Sequence, residues 1–491
     1  MPQGSDLRFG ILAIFLAILL PLLLILSGGN FILPVAFLAL IFFVVTFPRL
    51  FDWPTVRVVQ IFVFIYLVLD VPSARPFYEY DPITEFLGSF LFDGLTKVIG
   101  IPGIPTTLFE LVSFFLLGLC LWKHMFEKHV KRMPPLAKVV LVGCLIPAVA
   151  LFGVFTGLIR GNDWRIAITQ TRFFLLYPTW FLIGYLSLRR AEDLIGIFKV
   201  ITAAMLIKSF QAIYVYFFIL NGSLGDKEFL VDHLSSDFLA TSMIFLGGYI
   251  LFVEKSYLSK ILTFFMVVPM AVVYFINDRR SSLVGVIIGL ALLLAALPLE
   301  ALYRRRKPLL LSFIGVVSFT VLTWRLSGPL GFFAMTIRSL LPGGAESAAS
   351  YRAFEDYNLL RAVSENPVFG IGFGRTFPLY IKLPDVSFVY ENFDLIPHNT
   401  VLYLWTFAGP VGIAGLSLFV ASNIAMSTKL FNHARSVLTM LVAAVTMTMV
   451  VRWLVYAYGD IGLLEIRIVS LMSLALGGCW KFYNELNENV S

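Results

Sequence analysis

Apolar runs of about 17–25 residues recur along the whole of this 491-residue chain, each long enough to cross ~30 Å of hydrocarbon. A backbone inside a bilayer finds no water, so its N–H and C=O groups must be satisfied within the segment, and runs of this length read as helices. About fourteen can be counted, from 10–27 and 30–47 through 136–157, 173–188 and 308–325 to 398–421, 437–457 and 463–480. Hydrophobic residues make up 59% of the chain and the mean hydropathy is +0.88, far from a soluble globular composition. The first run is too long, and too free of small-residue cleavage signals, to be a removable leader, so it reads as the first helix. The expected fold is all-α: a polytopic membrane helix bundle of about 12–14 transmembrane helices, one integral membrane domain over 1–491. No internal repeat and no separate soluble domain is visible.

Charge sets the orientation. The net charge of +7 does not call for nucleic acid, because the cations are sorted by position. Lys123, Lys128, Lys131 and Arg132, then Arg189 and Arg190, then Arg304, Arg305, Arg306 and Lys307 fall on one side if the N-terminus is cytoplasmic. Both termini are then expected inside. The outer side carries Arg rather than Lys, with Lys97, Lys227 and Lys382 as exceptions. Topology does not ask for external arginine, whereas a forked guanidinium suits bidentate binding of phosphate or carboxylate. Ordinary Arg–acid pairs in an acidic loop would leave the same count. Cys120, Cys144 and Cys479 lie in apolar segments and read as small buried hydrophobes.

One stretch breaks the apolar pattern. Residues 326–397 form a long polar outer loop, with a helix expected over Ala348–Glu365 and a shorter interfacial helix expected earlier, around Ile83–Ile99. The loop ends in Pro397-His398-Asn399-Thr400, where the next apolar run begins. His398 there sits near the membrane surface. A helix N-terminus disfavours imidazolium, which would keep His398 neutral and able to act as a general base. A histidine that merely caps the helix would occupy the same place.

The turn Asn277-Asp278-Arg279-Arg280-Ser281-Ser282 puts two arginines on the outer side, against the charge bias, and Arg172 opens the 173–188 run at the same face. Arg352 and Arg361 lie on the loop helix. Any of them could instead bind lipid headgroups by snorkelling. Gly370, Gly372 and Gly374 alternate without dinucleotide-fingerprint spacing and read as a tight turn that brings the loop back to the outer face. Within the runs, Arg452, Glu465 and Arg467, with Asp460 between, read as an ion-pair cluster of structural origin, and Lys208 shows no obvious partner. No DxD is present; Glu79-Tyr80-Asp81 is the nearest acid pair and a weak one.

Taken in order, these elements resemble the O-antigen ligase and polymerase superfamily of bacterial membrane glycosyltransferases. The matching residues are Arg280-Ser-Ser-Leu-Val-Gly, then Arg352 ahead of Tyr357 (where the family usually has Trp), then Asn366-Pro-Val-Phe-Gly-Ile-Gly-Phe-Gly374, His398-Asn399-Thr-Val-Leu402 and Gly409-Pro-Val-Gly412, over roughly 275–420. The resemblance implies an inner-membrane enzyme with a periplasmic active face and a long periplasmic loop. Its donor would be a glycan on undecaprenyl diphosphate, and its acceptor a glycan or lipid-linked hydroxyl. It implies His398 and Arg280 as catalytic residues, and Arg172, Arg279, Arg352, Arg361 and Asn399 as substrate-binding, with no metal and no other cofactor. A polysaccharide-lipid transporter or flippase, and a metal-dependent glycosyltransferase using lipid monophosphate with Glu79 and Asp81, are the competing classes. A transporter would place polar groups at midplane rather than at one face.

Overall fold

The computed structural model describes residues 53–71, 83–99, 106–126, 136–224, 230–232, 234–277, 279–296, 347–384, 394–434 and 436–488, with isolated positions between 314 and 336. The first two apolar runs, most of the 308–325 run, His233, and Glu79 with Asp81 lie outside them.

The described residues are helical, and no strand occurs among them beyond a single bridge between Gly94 and Thr107. In order the helices are α1 Thr55–Val68, α2 Ile83–Phe92, α3 Leu95–Ile99, α4 Leu108–Phe126, α5 Leu136–Gly143, α6 Leu145–Ile159, α7 Trp164–Thr171, α8 Leu176–Ser187, α9 Ala191–Tyr214, α10 Ser235–Phe252, α11 Tyr257–Ile276, α12 Arg280–Ala296, α13 Ser347–Glu365, α14 Thr400–His433, α15 Val437–Gly459 and α16 Ile466–Glu488. Four of them, α4, α11, α14 and α15, are long and apolar enough to cross a membrane. The chain is an all-α polytopic membrane protein. The loop helix expected over Ala348–Glu365 is α13, and the interfacial segment is the pair α2 and α3.

Helices differ in what they face. α15 is buried over 72% of its apolar window and forms the centre with α16, α8 and α14. α11 is buried over only 28%, and Leu262, Phe264, Phe265 and Val268 stand exposed on it, as a lipid-facing helix requires. α8 and α16 approach closely: a Cβ on Gly184 would strike the Leu474 carbonyl, and one on Gly477 the Phe181 carbonyl. Small residues allow this contact, and in lipid close packing rather than a hydrophobic drive holds helices together. One expected span, 136–157, is two helices. Pro147 has no N–H to give the Gly143 carbonyl, and the helix breaks there.

The outer loop is tied to the bundle by a break in α14. Pro410 cannot donate to Thr406, and Gly409 leaves helical space at φ 64°, ψ −158°. The freed carbonyls are taken by the glycine turn: Ile371 N–H donates to Thr406 at 2.8 Å and Gly372 N–H to Phe407 at 3.0 Å. From the other side Phe373 N–H reaches the Gly153 carbonyl of α6 at 3.0 Å, and Asn162 Nδ2 donates to the carbonyls of Ile371, Gly372 and Phe373 at 3.1–3.3 Å. Gly372 has φ +76°, and a side chain on it would collide with the backbone of Gly157. The turn expected from the glycine spacing is therefore a plug between α6 and α14. It fixes where α13 lies over one end of the bundle.

Candidate active site

His398 sits two residues ahead of α14. Asn399 is the helix cap, its Oδ1 accepting the Leu402 N–H at 3.1 Å, so His398 is not needed for capping. Thr400 holds this start against the α15–α16 turn: its hydroxyl donates to the Ala457 carbonyl at 2.9 Å and accepts the Leu463 N–H at 3.1 Å. The helix start is thus anchored from both sides before any functional group is considered.

Glu355 of α13 grips His398 with both carboxylate oxygens. Oε2 accepts the His398 backbone N–H at 2.9 Å and Oε1 faces the ring Nδ1 at 3.3 Å. Glu355 is buried to 1% exposure, while a quarter of the His398 side chain remains accessible. A carboxylate can only accept, so Nδ1 carries the proton and Nε2 keeps its lone pair. The ring edge packs on Tyr351 of α13, with centroids 5.7 Å apart at 84°. Burial pushes the Tyr351 phenol up to about 12, so it stays protonated.

More than the helix end bears on the His398 pKa. Burial does pull its pKa down, but the hydrogen bond and charge of Glu355, with Asp460 behind, outweigh burial and the opposing Arg352. The net effect raises it above the ordinary histidine value. Arg352 Nη2 lies 3.9 Å from Asp460 Oδ2, which draws the end of α15 into the same cluster. Asp460 thus faces both this cluster and the Glu465 group with which the sequence placed it. Asn399 Nδ2 donates to Asp356 at 3.1 Å, so both ends of this amide hold protein groups, and burial raises the Asp356 carboxyl above the usual carboxylate range.

The other arginines are placed as follows. Arg279 and Arg280 are half-buried at the start of α12. Their turn is set by Asn277, fully buried, which accepts from the Leu230 and Val231 N–H groups at 2.8 and 3.1 Å and donates to Ser236 at 2.7 Å. The Arg279 charge acts on the Tyr456 hydroxyl, four residues before Asp460, and so lies towards the cluster. Arg172 stands at the same end of the bundle. Gln170, two residues before it, donates from its side chain to the Arg375 and Leu395 carbonyls at 2.9 and 3.0 Å, and its backbone carbonyl accepts the Tyr403 hydroxyl at 3.2 Å. Arg172 pairs with Glu110 at 3.8 Å and stacks on Phe173, yet its buried Nε and Nη1 make no hydrogen bond. Arg361 turns to Glu365 at 3.1 Å and to the Tyr380 ring, on the opposite side of α13 from Arg352.

Residues 265–417 match the family model described as O-antigen ligase. That stretch, less than half of the chain, runs from within α11 to the middle of α14 and includes Arg280, Arg352, Glu355 and His398. The match indicates a function of the O-antigen ligase or polymerase type. No curated protein matches the chain. Among the described residues no group of three or more His, Cys, Asp or Glu is disposed to hold a metal ion.

Two features escaped the sequence. Glu355 lies 43 positions before His398, with no spacing to link them. Lys208, which showed no partner, pairs with Asp70, just beyond α1, and lies 3.8 Å from Asp232. Arg467 meets Asp232 at 2.9 Å and Arg452 meets Asp237 at 3.4 Å, so these buried charges are matched across helices.

Proposed function

We propose that the chain is a periplasm-facing glycosyltransferase that moves a glycan from undecaprenyl diphosphate to an acceptor hydroxyl, as a surface-polysaccharide polymerase or an O-antigen ligase. The observation that carries this reading is His398 held by the buried Glu355 beside Arg352, all three inside the O-antigen ligase stretch, with Asp460 completing the cluster from beyond it.

His398 Nε2 takes the acceptor proton while Glu355 steadies the imidazolium that forms. The acceptor oxygen attacks the anomeric carbon from the face opposite the leaving group. The bond to the diphosphate breaks, its electron pair leaves with the lipid diphosphate, and the anomeric configuration inverts. Charge gathers on the leaving group as that bond breaks, and preorganised guanidinium groups stabilise it without reorganisation. Arg280 and Arg279 are the first candidates. Arg172 has two buried donors that an anion would satisfy. Arg352 faces the base, and Asn399 positions the loop helix rather than the sugar. Arg361, turned to Glu365, fits the acceptor side of the loop. Both termini are cytoplasmic in this reading, and 326–397 is the periplasmic loop.

The test is reconstitution of the full chain with a lipid-diphosphate glycan and either a second lipid-linked glycan or a lipopolysaccharide core as acceptor. Wild type transfers to one of the two, which separates polymerase from ligase. His398→Ala and Arg280→Ala each lose transfer by roughly 10²-fold or more. Full transfer by both variants would sink the assignment.

A further inference from the structure

The opposite end of the bundle holds a cavity that the reaction at His398 does not use. α4 runs ~28 Å from its start near Arg172 to Phe126, by its 19 residues at 1.5 Å each. α8 likewise runs from the Arg172 end to Ser187. Where those two far ends meet the start of α1 lies a cavity of about 560 Å³, within the size range of small-ligand sites. Lys123, Arg189 and Arg190 line it against one acid, Asp193. Its Oδ2 accepts the Arg189 and Arg190 backbone N–H groups at 2.8 and 3.0 Å, and one carboxylate against three cations leaves the lining net positive. The cavity is therefore electropositive.

Two further observations point to a ligand rather than to cations that only set topology. Ser187, 4% exposed and lining the cavity, has a buried hydroxyl with no hydrogen-bond partner. An orphaned buried hydroxyl is costly unless something fills the space beside it. Trp53 and Trp122 flank the cations at 45% and 51% exposure. Amphipathic rings so placed belong at the headgroup level of a bilayer. Lys123 donates to the Trp53 carbonyl, which fixes the ammonium at the edge of the cavity. Fixed cations, an unmet hydroxyl and an aromatic rim together match a phosphate ester whose organic part lies at the membrane surface.

We propose that this cavity binds a phosphate ester, with the aromatic rim favouring one borne by an anionic phospholipid of the leaflet opposite the His398 face. The site is independent of the glycan chemistry above. In the test, the full-length protein is equilibrated with vesicles of equal parts phosphatidylcholine and phosphatidylglycerol. It is then washed in neutral detergent, and the retained lipid is measured by mass spectrometry. Wild type retains phosphatidylglycerol over phosphatidylcholine by about tenfold or more. The double variant Arg189→Gln, Arg190→Gln loses that preference. So does Ser187→Leu, which fills the cavity without changing charge, while Lys255→Gln, an exposed cation at the same end, keeps it. A second arm titrates soluble glycerol phosphate by calorimetry. Binding there, lost in both cavity variants and without lipid preference, supports the phosphate site and assigns it a soluble ligand. Equal retention of both lipids with no glycerol phosphate binding overturns the proposal, and so does a preference that survives in both well-folded cavity variants.

Discussion

Replacing Glu355 by glutamine keeps the side chain's shape and inverts one hydrogen bond. In Glu355→Gln the amide oxygen can still accept the His398 backbone N–H, a bond now made at 2.9 Å by the carboxylate. The amide N–H₂ would then face Nδ1, where Oε1 now stands at 3.3 Å. An N–H donor there favours the tautomer with the proton on Nε2, the nitrogen that must accept the acceptor's proton. The variant therefore loses both the correct tautomer and the negative charge that supports the imidazolium. General-base catalysis contributes about 10²–10⁴ in rate, and the equivalent tautomer swap in a Ser-His-Asp triad costs ~10⁴. A fall of that order, or about 3–5 kcal/mol of activation free energy, is expected in the transfer rate. The pH profile carries an independent sign. A neutral base is required, so transfer is lost as pH falls through the His398 pKa, which Glu355 raises. Without the carboxylate, burial and Arg352 act downward against Asp460 alone, so the acid limb moves to lower pH. Glu355→Asp keeps the charge and should recover part of the rate with the limb near its original place. The assay is initial transfer rate against pH in proteoliposomes, with thermal unfolding as the folding control. Near wild-type transfer by Glu355→Gln with an unmoved acid limb would refute the coupling of Glu355 to His398.

Other perturbations follow from the same structure. Arg352→Gln removes a charge that opposes protonation of His398, so its acid limb should move to higher pH, opposite to Glu355→Gln. Gly372→Ala forces a β-carbon into left-handed space and against Gly157; a loss of at least ~1–2 kcal/mol should show as a lower unfolding temperature. Lys208→Met leaves Asp70 without its buried cation while Asp232 keeps Arg467, so about 3 kcal/mol, the low end for a broken buried pair, should be lost in denaturation of the detergent-solubilised protein. Transfer should continue in a chelator, whereas loss restored by magnesium would favour the metal-dependent class.

Much of the fold was legible because a bilayer leaves the backbone few options. An apolar run of spanning length has to close its hydrogen bonds internally, so α14, α15 and α16 start within a few residues of the expected 398–421, 437–457 and 463–480. The places where the pattern misled are prolines. Pro147 splits one expected span into α5 and α6, and Pro410 with Gly409 breaks α14 without ending it. Hydropathy is blind to a missing N–H, since proline sits among apolar neighbours without lowering the average much. The glycine turn was visible as a turn, but its purpose was not. Only the structure pairs Ile371 and Gly372 with the carbonyls that Pro410 leaves open.

At the candidate site the sequence could name residues whose chemistry is rare in context and could not name those whose role is a contact. His398 stood out because it closes the polar loop just where an apolar run begins, and Arg279 and Arg280 because they oppose the charge bias. Glu355 carried no such signal: on a helix rich in charge, one more glutamate reads as solvated surface. Its burial to 1% depends on the docking of α13, which depends on the plug between α6 and α14. The same dependence explains why the sequence offered only the helix end as an influence on His398. A helix end taken alone favours the neutral ring, but its field is that of a partial charge and falls off within a turn. A full carboxylate 3.3 Å from Nδ1 exceeds it, and that carboxylate arrives from a part of the chain with no periodic relation to the histidine. The base strength of His398 is thus set by how the outer loop docks. Any substitution that loosens the glycine plug should lower transfer through Glu355 even where His398 and every arginine are intact.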